Sequence, residues 1–333
     1  DGKETATHIA TACGMLGADS VCLDGGELAA LSDEELSALL PRLAVVARAL
    51  PSDKSRLVRL GRAAGLVVGM TGDGVNDAPA LKAADVGFAM GSGTGVAKEA
   101  GDVVILDDNL ASVTNAVLYG RTIFKSIRKF ITLQLIMNFC AVGISIIGPF
   151  IGFESPVTVV QMLWINLIMD TLGGLAFAGE APMPRYLKEP PKKRDEPILT
   201  RGIAGRIAFL SAFTVALSAF FLKSPLTVRV FRQMPGDLCL LTAFFALFIF
   251  AGVFNCFNAR SDRVRMLAGI RKNKAFLPIM LAVAAVQIAF VYLGGTMLRT
   301  TPLTLRELGF TLLLAFSVIP AGFLQLVWKK LCG

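Results

Sequence analysis

The sequence predicts a soluble α/β domain of the parallel, doubly wound (Rossmann-like) type, followed by an all-α membrane domain of six helices. Within residues 1–122, short apolar stretches alternate with helical patterns, as in parallel sheets. Beyond Phe130, apolar runs long enough to cross a bilayer recur. The 333 residues are 54% hydrophobic and only 17% charged, which is too apolar for an ordinary soluble protein. We therefore assign residues 1–122 to a cytosolic domain and residues 123–333 to a membrane domain.

The elements of the first domain follow from apolar spacing and capping signals. A helix opens the chain and ends near Gly14, and Ser32 with Glu35 has the form of a capping box. Pro51 begins a further helix. The predicted strands are 20–23, 43–49, 66–68, 86–90 and 103–106. A glycine-rich turn directly follows strand 66–68.

That turn carries Asp73, Asn76 and Asp77 at the carboxyl end of a strand, where open α/β sheets place their ligand sites. Carboxylates there suit Mg²⁺, which also binds phosphate oxygens and water, and glycines let the backbone come close to a phosphoryl group. The alternative is a tight turn with solvated acids. Spacing alone favours solvated charges at Arg48 and Lys54, and leaves Asp1 ambiguous.

The apolar runs predict six membrane spans, at about 130–150, 157–178, 203–222, 238–257, 276–298 and 307–328. The net charge of +8 suggests nucleic acid as one class of partner. However, the basic residues cluster beside alternate apolar runs, which is the positive-inside pattern. Membrane topology explains them better, so we expect a lipid bilayer, no nucleic acid, and both termini in the cytosol.

Polar residues inside the first two spans indicate an ion site. Asp170 lies at bilayer depth, which makes it a functional-site hypothesis, and Asn166 shares its helix face. Gly173 and Gly174 allow the helix to unwind there and free carbonyls for an ion. Asn138 is the deep polar group of the first span. These oxygens fit Ca²⁺, although three side chains supply at most four of its six to eight ligands; the alternative is that they only join helices by hydrogen bonds.

Several segments together resemble one family. The segment T-G-D-G-V-N-D-A-P-A-L, residues 71–81, resembles the hinge motif of the P-type ATPases, whose phosphorylation domain has a haloacid-dehalogenase-like fold. Residues 1–6 resemble the end of their T-G-D segment, and residues 51–55 resemble the segment that carries their lysine. Residues 161–171 resemble the corresponding helix of calcium pumps, especially the plasma-membrane type. The resemblance covers essentially the whole chain.

The resemblance implies ATP-driven export of Ca²⁺ across the plasma membrane by a monomeric, multi-pass pump that forms an aspartyl phosphate. Asp73 would bind Mg²⁺, with Asn76 and Asp77 beside it contacting phosphate or supporting the metal's ligands. Lys54 would neutralise a phosphate oxygen as charge develops. The residues that would contact ATP are Asp1, Arg48, Lys54 and Asn76. The ion would be bound by Asn138, Asn166 and Asp170.

One departure from the family matters most. The nucleophilic aspartate of its D-K-T-G-T segment is absent from these residues, and an aspartyl phosphate requires it. We therefore expect a missing N-terminal part of the same polypeptide, carrying the nucleophile and the first transmembrane helices. The chain alone is not expected to be active.

The resemblance also bears on ion number. Pumps with a second ion site carry carboxylates or a hydroxyl at three positions that look like Ala141, Met169 and Gly252 here. We therefore expect about one Ca²⁺ per cycle. Two alternatives stay open: a P-type pump for another cation (Mn²⁺, Na⁺ or H⁺), or a non-catalytic membrane binding or regulatory protein without a nucleophile.

Overall fold

The chain forms two units, one of residues 1–119 with 184–196 and the other of residues 120–183 with 197–333. The computed structural model describes residues 2–192, 195–260 and 270–332, and gives only the backbone at 168–170, 329, 330 and 332. The two units are described separately below.

Strands and helices alternate through the first unit, as predicted. The strands are β1 (Val21–Asp24), β2 (Leu43–Ala47), β3 (Gly69–Gly72), β4 (Val86–Met90) and β5 (Val103–Ile105). The helices are α1 (Lys3–Ala12), α2 (Gly25–Ala30), α3 (Asp33–Leu39), α4 (Pro51–Ala63), α5 (Ala78–Ala83) and α6 (Gly95–Ala100). The Ser32 hydroxyl accepts from the Glu35 amide and the Glu35 carboxylate accepts from the Ser32 amide, so the predicted capping box is present at α3.

All strand pairs in the described residues are parallel, but they form two sheets rather than the single doubly wound sheet expected. One sheet is β1–β2, and the other has the order β3–β4–β5. The strand predicted at 66–68 begins instead at Gly69, which pairs with Val86. Leu66 and Val67 are about half exposed, at 49% and 50%, because in the described residues β3 has a neighbour on one edge only. Small parallel sheets are therefore what the structure supports.

The second unit is helical. The first long helix, α7 (Leu110–Phe150), begins in the first unit and continues into the second. The later helices are α8 (Val159–Leu167), α9 (Gly174–Ala178), α10 (Arg201–Lys223), α11 (Pro225–Val230), α12 (Leu238–Arg260), α13 (Phe276–Leu293), α14 (Gly295–Leu298), α15 (Leu305–Phe316) and α16 (Val318–Cys332). Within the described residues, six helical segments are long and apolar enough to cross a bilayer, which confirms the predicted number. They are Leu110–Phe150, Val159–Ala178, Arg201–Lys223, Pro235–Arg260, Phe276–Leu293 and Leu305–Trp328.

The second unit packs around α12, which is buried along almost its entire length. Two segments differ from the simple spans expected. The fifth span ends at Leu293, because Gly295, two residues later, has a left-handed φ of 49° that interrupts the helix. In the second span, one turn of π-helix (Ile168–Gly173) joins α8 to α9, so the backbone there widens instead of unwinding at the glycines.

Candidate functional site

The turn after β3 is built around the buried carboxylate of Asp77. A single 3-10 turn (Val75–Asp77) follows β3, and α5 begins directly after it. Asp77 is 5% exposed, and its Oδ1 accepts a hydrogen bond from Lys54 Nζ at 2.6 Å. Its Oδ2 accepts from the backbone amides of Asp73 at 3.3 Å and Gly74 at 3.4 Å. The carboxylate therefore ties the start of α4 to the turn.

Two opposing effects set the pKa of Asp77. Burial raises it, but the hydrogen bond and ion pair with Lys54 and the amide of Gly74 lower it more, so the pKa lies below its ordinary value. Asp77 is consequently ionised at neutral pH and holds the Lys54 ammonium at the turn by a charge-assisted hydrogen bond. Because about 40% of the Lys54 side chain is exposed, the ammonium stays accessible to an anion from solvent.

Asp73 and Asn76 are the exposed polar residues of the same turn. The Asp73 carbonyl accepts from the Thr94 amide at 2.8 Å, and a Cβ at Gly93 would lie 2.9 Å from that carbonyl oxygen. The loop after β4 thus fixes the backbone of the turn and leaves the Asp73 carboxylate exposed. This donor set fits Mg²⁺, which takes one or two protein carboxylates and completes its octahedron with phosphate and water oxygens.

The loop after β4 is held in turn by Asp108, which precedes α7. The Ser92 amide lies 3.0 Å and 3.2 Å from the two Asp108 carboxylate oxygens, and these contacts, led by the Ser92 amide, lower the pKa of Asp108. Asp108 adopts a left-handed backbone conformation with φ of 52°. Hydrogen bonds therefore connect the turns that follow β3, β4 and β5, which lie together at the carboxyl end of this sheet.

The residues predicted to contact the nucleotide are not all brought together with Lys54 and Asp77. Arg48 directly follows β2, is exposed and has φ of 50°, and a Cβ at Gly25 would lie 2.7 Å from its carbonyl oxygen. It lies at the carboxyl end of the β1–β2 sheet, whereas Lys54 and Asp77 meet at the carboxyl end of β3. Asp1 lies outside the described residues.

Two of the three candidate ion ligands, Asn138 and Asn166, have described side chains, and both are exposed in the second unit. Asn138 is exposed on α7, next to Phe139, which is also exposed. Asn166 is exposed on α8 beside the exposed Leu167. The backbone of Asp170 lies in the π-helical turn, and its side chain lies outside the described residues. Both described side chains are thus available to a ligand.

The sequence profile described as "Cation transporting ATPase, C-terminus" matches residues 154–328, more than half of the chain. The chain belongs to the cation-transporting ATPase family. It is 38% identical over 307 residues to "Probable calcium-transporting ATPase 6, plasma membrane-type" of Oryza sativa subsp. japonica, covering 91% of this chain and 30% of that protein. It is 37% identical over 358 residues to "Calcium-transporting ATPase PAT1" of Dictyostelium discoideum, covering 97% and 32%. For "Calcium-transporting ATPase 2" of Schizosaccharomyces pombe the identity is 36% over 329 residues, covering 97% and 25%. The chain thus spans 25% to 32% of the length of these calcium-transporting ATPases.

Sequence reasoning missed a buried charged cluster in this cation-transporting ATPase chain. Glu180, just after α9, accepts from Lys129 Nζ at 3.0 Å and from Arg260 Nε at 2.8 Å. The Asn273 amide lies 3.3 Å from Glu180 Oε1 and donates to the Ala176 carbonyl at 2.8 Å. Burial raises the pKa of Glu180, but Lys129, Arg260 and Asn273 lower it more, and the net pKa is below its ordinary value. The available signal was an acid placed immediately after an apolar span.

A second buried carboxylate, Glu307, lies at the start of α15. It accepts from Arg232 Nε at 3.0 Å and Nη2 at 3.1 Å, and from the Thr304 amide at 2.7 Å. Glu307 is 1% exposed and contacts neither α7 nor α9 through these bonds. Thr304 and Glu307 form a capping box, so the spacing Thr-x-x-Glu would have predicted the cap.

Proposed function

We propose that the full-length protein, of which this chain is a C-terminal portion, exports Ca²⁺ across the plasma membrane by ATP hydrolysis through an aspartyl phosphate. The observation that carries this proposal is the contact of Lys54 with the buried Asp77 beside the exposed Asp73 carboxylate. A lysine that is fixed by a carboxylate yet accessible from solvent suits electrostatic stabilisation of a phosphoryl group. The calcium-transporting names of the relatives support the choice of ion.

In this proposal the soluble residues are part of a haloacid-dehalogenase-like phosphorylation domain. Asp73 would hold Mg²⁺, which neutralises charge on the transferred phosphoryl group when bound. Lys54 would pair with a phosphoryl oxygen, and Asp77 would keep Lys54 oriented. Asn76, Arg48 and Asp1 would contact phosphate or nucleotide.

The sheet edges support the proposal that the nucleophile belongs to another part of the polypeptide. In the described residues β3 and β1 are each edge strands, and the apolar Leu66 and Val67 before β3 are half exposed. Unpaired parallel strands normally gain a neighbour. A further strand from the remaining length of the protein would extend these edges and bring a nucleophile to their carboxyl ends.

We further propose the domain limits 1–122 and 123–333, with both termini in the cytosol. Lys125 and Lys129 directly precede the first span predicted at about 130–150, and Arg260 ends the fourth apolar helix, which agrees with the positive-inside pattern.

The proposed Ca²⁺ ligands, Asn138, Asn166 and Asp170, are tested by Asp170→Asn in the full-length pump. Replacing the carboxylate by an amide removes the charge that a hard cation prefers, so Ca²⁺-stimulated ATP hydrolysis is expected to fall to background. The matched control is Gln161→Leu in the same span. Gln161 is buried, donates to the Leu298 carbonyl at 2.7 Å and accepts from the Thr158 amide at 2.9 Å, so its loss affects helix packing and the start of α8 and removes no proposed ion ligand.

Three outcomes decide between the proposal and its rivals. Unchanged Ca²⁺ activation in Asp170→Asn contradicts the ion site. If Mn²⁺ or Na⁺ activates the wild type and Ca²⁺ does not, the protein is still an ATP-driven cation pump, but the proposed transported ion is wrong. Absence of a phosphorylated intermediate in the full-length protein favours the non-catalytic alternative.

The proposed stoichiometry is tested separately. Ala141 and Gly252 offer no side-chain oxygen at two positions expected of a second ion site, and Met169 occupies the third. The ratio of transported ⁴⁵Ca²⁺ to ATP hydrolysed in vesicles is expected to be one. A ratio of two contradicts the assignment of a single site.

A further inference from the structure

Glu180 joins the two helical segments that carry the proposed ion ligands. Its carboxylate is bound on one side by Lys129 of α7 and on the other by Arg260 of α12. Only 4% of the Glu180 side chain and 2% of the Arg260 side chain are exposed. A buried carboxylate with two cationic partners holds its helices firmly, since breaking either pair leaves a charge without a counter-charge.

The loop before α13 supplies the third set of contacts to the Glu180 cluster, in addition to those from α7 and α12. Asn273 donates to the Ala176 carbonyl near the end of α9 and to Glu180, and it accepts from the Phe276 amide at 3.0 Å. A Cβ at Gly179 would lie 2.8 Å from the Asn273 amide oxygen, so only glycine allows this approach. The end of α9 is therefore fixed by contacts with three other segments.

The position of the Glu180 cluster along α7 and along the α8–α9 segment relates it to the proposed ion site. Asn138 is nine residues after Lys129 on α7, and Asp170 is ten residues before Glu180 on the α8–α9 segment. At the α-helical rise of about 1.5 Å per residue, Asn138 lies about 14 Å along α7 from Lys129. Asp170 lies a similar number of residues from Glu180, across part of the π-helical turn and α9. The Lys129–Glu180 bond thus brings Asn138 and Asp170 to nearly the same level on neighbouring helices that run in opposite directions.

We propose that Glu180 is a positioning residue for ion binding, which sets the register of α7 against the α8–α9 segment and so aligns Asn138 with Asp170. Asp170 lies within the π-helical turn (Ile168–Gly173), which is nearer to the cluster along the chain than Asn166 is, so the contacts of Glu180 fix the end of the segment closest to Asp170. This inference rests on the proposed function, because it concerns the ligands of that ion site.

The test measures equilibrium binding of ⁴⁵Ca²⁺ to the full-length pump without ATP, together with the Ca²⁺ dependence and maximal rate of ATP hydrolysis. Glu180→Gln keeps the shape of the side chain and removes its charge. It is expected to weaken Ca²⁺ binding at least tenfold, while the maximal rate per phosphorylated molecule stays within twofold of wild type. Glu180→Asp, which keeps the charge on a shorter side chain, is expected to give an intermediate affinity.

The matched control is Glu307→Gln. Glu307 is equally buried and paired with an arginine, but its partners are Arg232, the cap of α15 and Cys239 at the start of α12, and none of them lies on α7 or on the α8–α9 segment. It is expected to lower thermal stability while leaving Ca²⁺ affinity within twofold of wild type. If Glu180→Gln does not fold, Lys129→Met provides the second variant: Arg260 and Asn273 still hold Glu180, but the bond from Glu180 to α7 is lost. It is therefore also expected to weaken Ca²⁺ binding at least tenfold.

Two results overturn the inference: Ca²⁺ affinity within twofold of wild type in both Glu180→Gln and Lys129→Met, or an equal loss of affinity in Glu307→Gln. Failure of the proposed function has a different signature. If the wild type is activated by Mn²⁺ or Na⁺ instead of Ca²⁺, the same variants are measured with that cation, and a tenfold selective loss still supports the role of Glu180. If no cation activates the wild type, both the proposed function and this inference are wrong.

Discussion

Replacing Gly72 with alanine should displace Asp77 and separate it from Lys54. A Cβ at Gly72 would lie 2.5 Å from the Cβ of Asp77 and 2.9 Å from its Cγ and Oδ2. Ordinary contacts begin near 3.4 Å, so the Asp77 side chain has to move by several tenths of an ångström or more. The amides of Asp73 and Gly74 already lie 3.3 Å and 3.4 Å from Oδ2, so such a shift breaks both hydrogen bonds.

The expected cost combines two effects. Inserting a methyl group into a filled space costs about 1–3 kcal/mol. Weakening a charged hydrogen bond to a buried carboxylate adds about 1 kcal/mol, a value reduced here because solvent screens the partly exposed Lys54. Gly72→Ala is therefore expected to destabilise the protein by about 2–4 kcal/mol and to remove phosphorylation by ATP.

The assay is the midpoint of thermal inactivation of the full-length pump, measured alongside the amount of phosphorylated intermediate. Gly74→Ala is the matched control for stability, because a Cβ there would meet Asp77 Oδ2 only at 3.8 Å and the backbone φ is −102°. A shift of several degrees is expected for Gly72→Ala and little change in midpoint for Gly74→Ala. The reasoning is refuted if the two variants have equal midpoints, or if Gly72→Ala is phosphorylated like the wild type.

Two further predictions concern the Lys54–Asp77 pair. Lys54→Met leaves the buried Asp77 with only its amide contacts and is expected to slow phosphorylation by about 10²–10³-fold, as for loss of one preorganised donor; rapid-quench measurement checks this, and Lys54→Arg is expected to retain more activity. The pKa of folded Asp77 is lowered, so its stabilising effect is fully present above the ordinary carboxyl pKa of about 4 and is lost as the pH falls through the lower folded value. The difference in thermal midpoint between wild type and Asp77→Asn should therefore stay constant from pH 7 to about pH 4; closure of the difference between pH 7 and pH 5 would contradict the assignment.

Features encoded within a few residues were predicted well. The capping box at Ser32, the helix that begins at Pro51 and the strand at 86–90 all agree with the structure. The number of apolar spans also agrees, since hydropathy over about 20 residues reports directly on bilayer crossing. Local propensity and solvent preference decide such features.

Features that depend on distant residues were not predictable in the same way. Leu66–Val68 has the composition of a buried strand, yet the paired strand begins at Gly69, because pairing partners and not composition fix a strand's limits. The cluster around Glu180 unites residues from 129 to 273, a separation that no periodic pattern reports. The π-helical turn at 168–173 likewise replaces the unwinding expected from its glycines.

The two units use buried carboxylates in the same way. Asp77 and Glu180 are each buried, each bound by a lysine from a different helix, and each lowered in pKa, so neither gains a proton near neutral pH. The residues proposed to meet ligands, such as Asp73 and Asn138, are exposed instead. A carboxylate that already has a cationic partner is poorly suited to bind a second cation, whereas an exposed carboxylate loses less hydration when a metal ion binds. Removing the buried charge should therefore alter ligand affinity through geometry, and removing a proposed ligand should abolish binding directly; comparing Glu180→Gln with Asp170→Asn distinguishes these two effects in one protein.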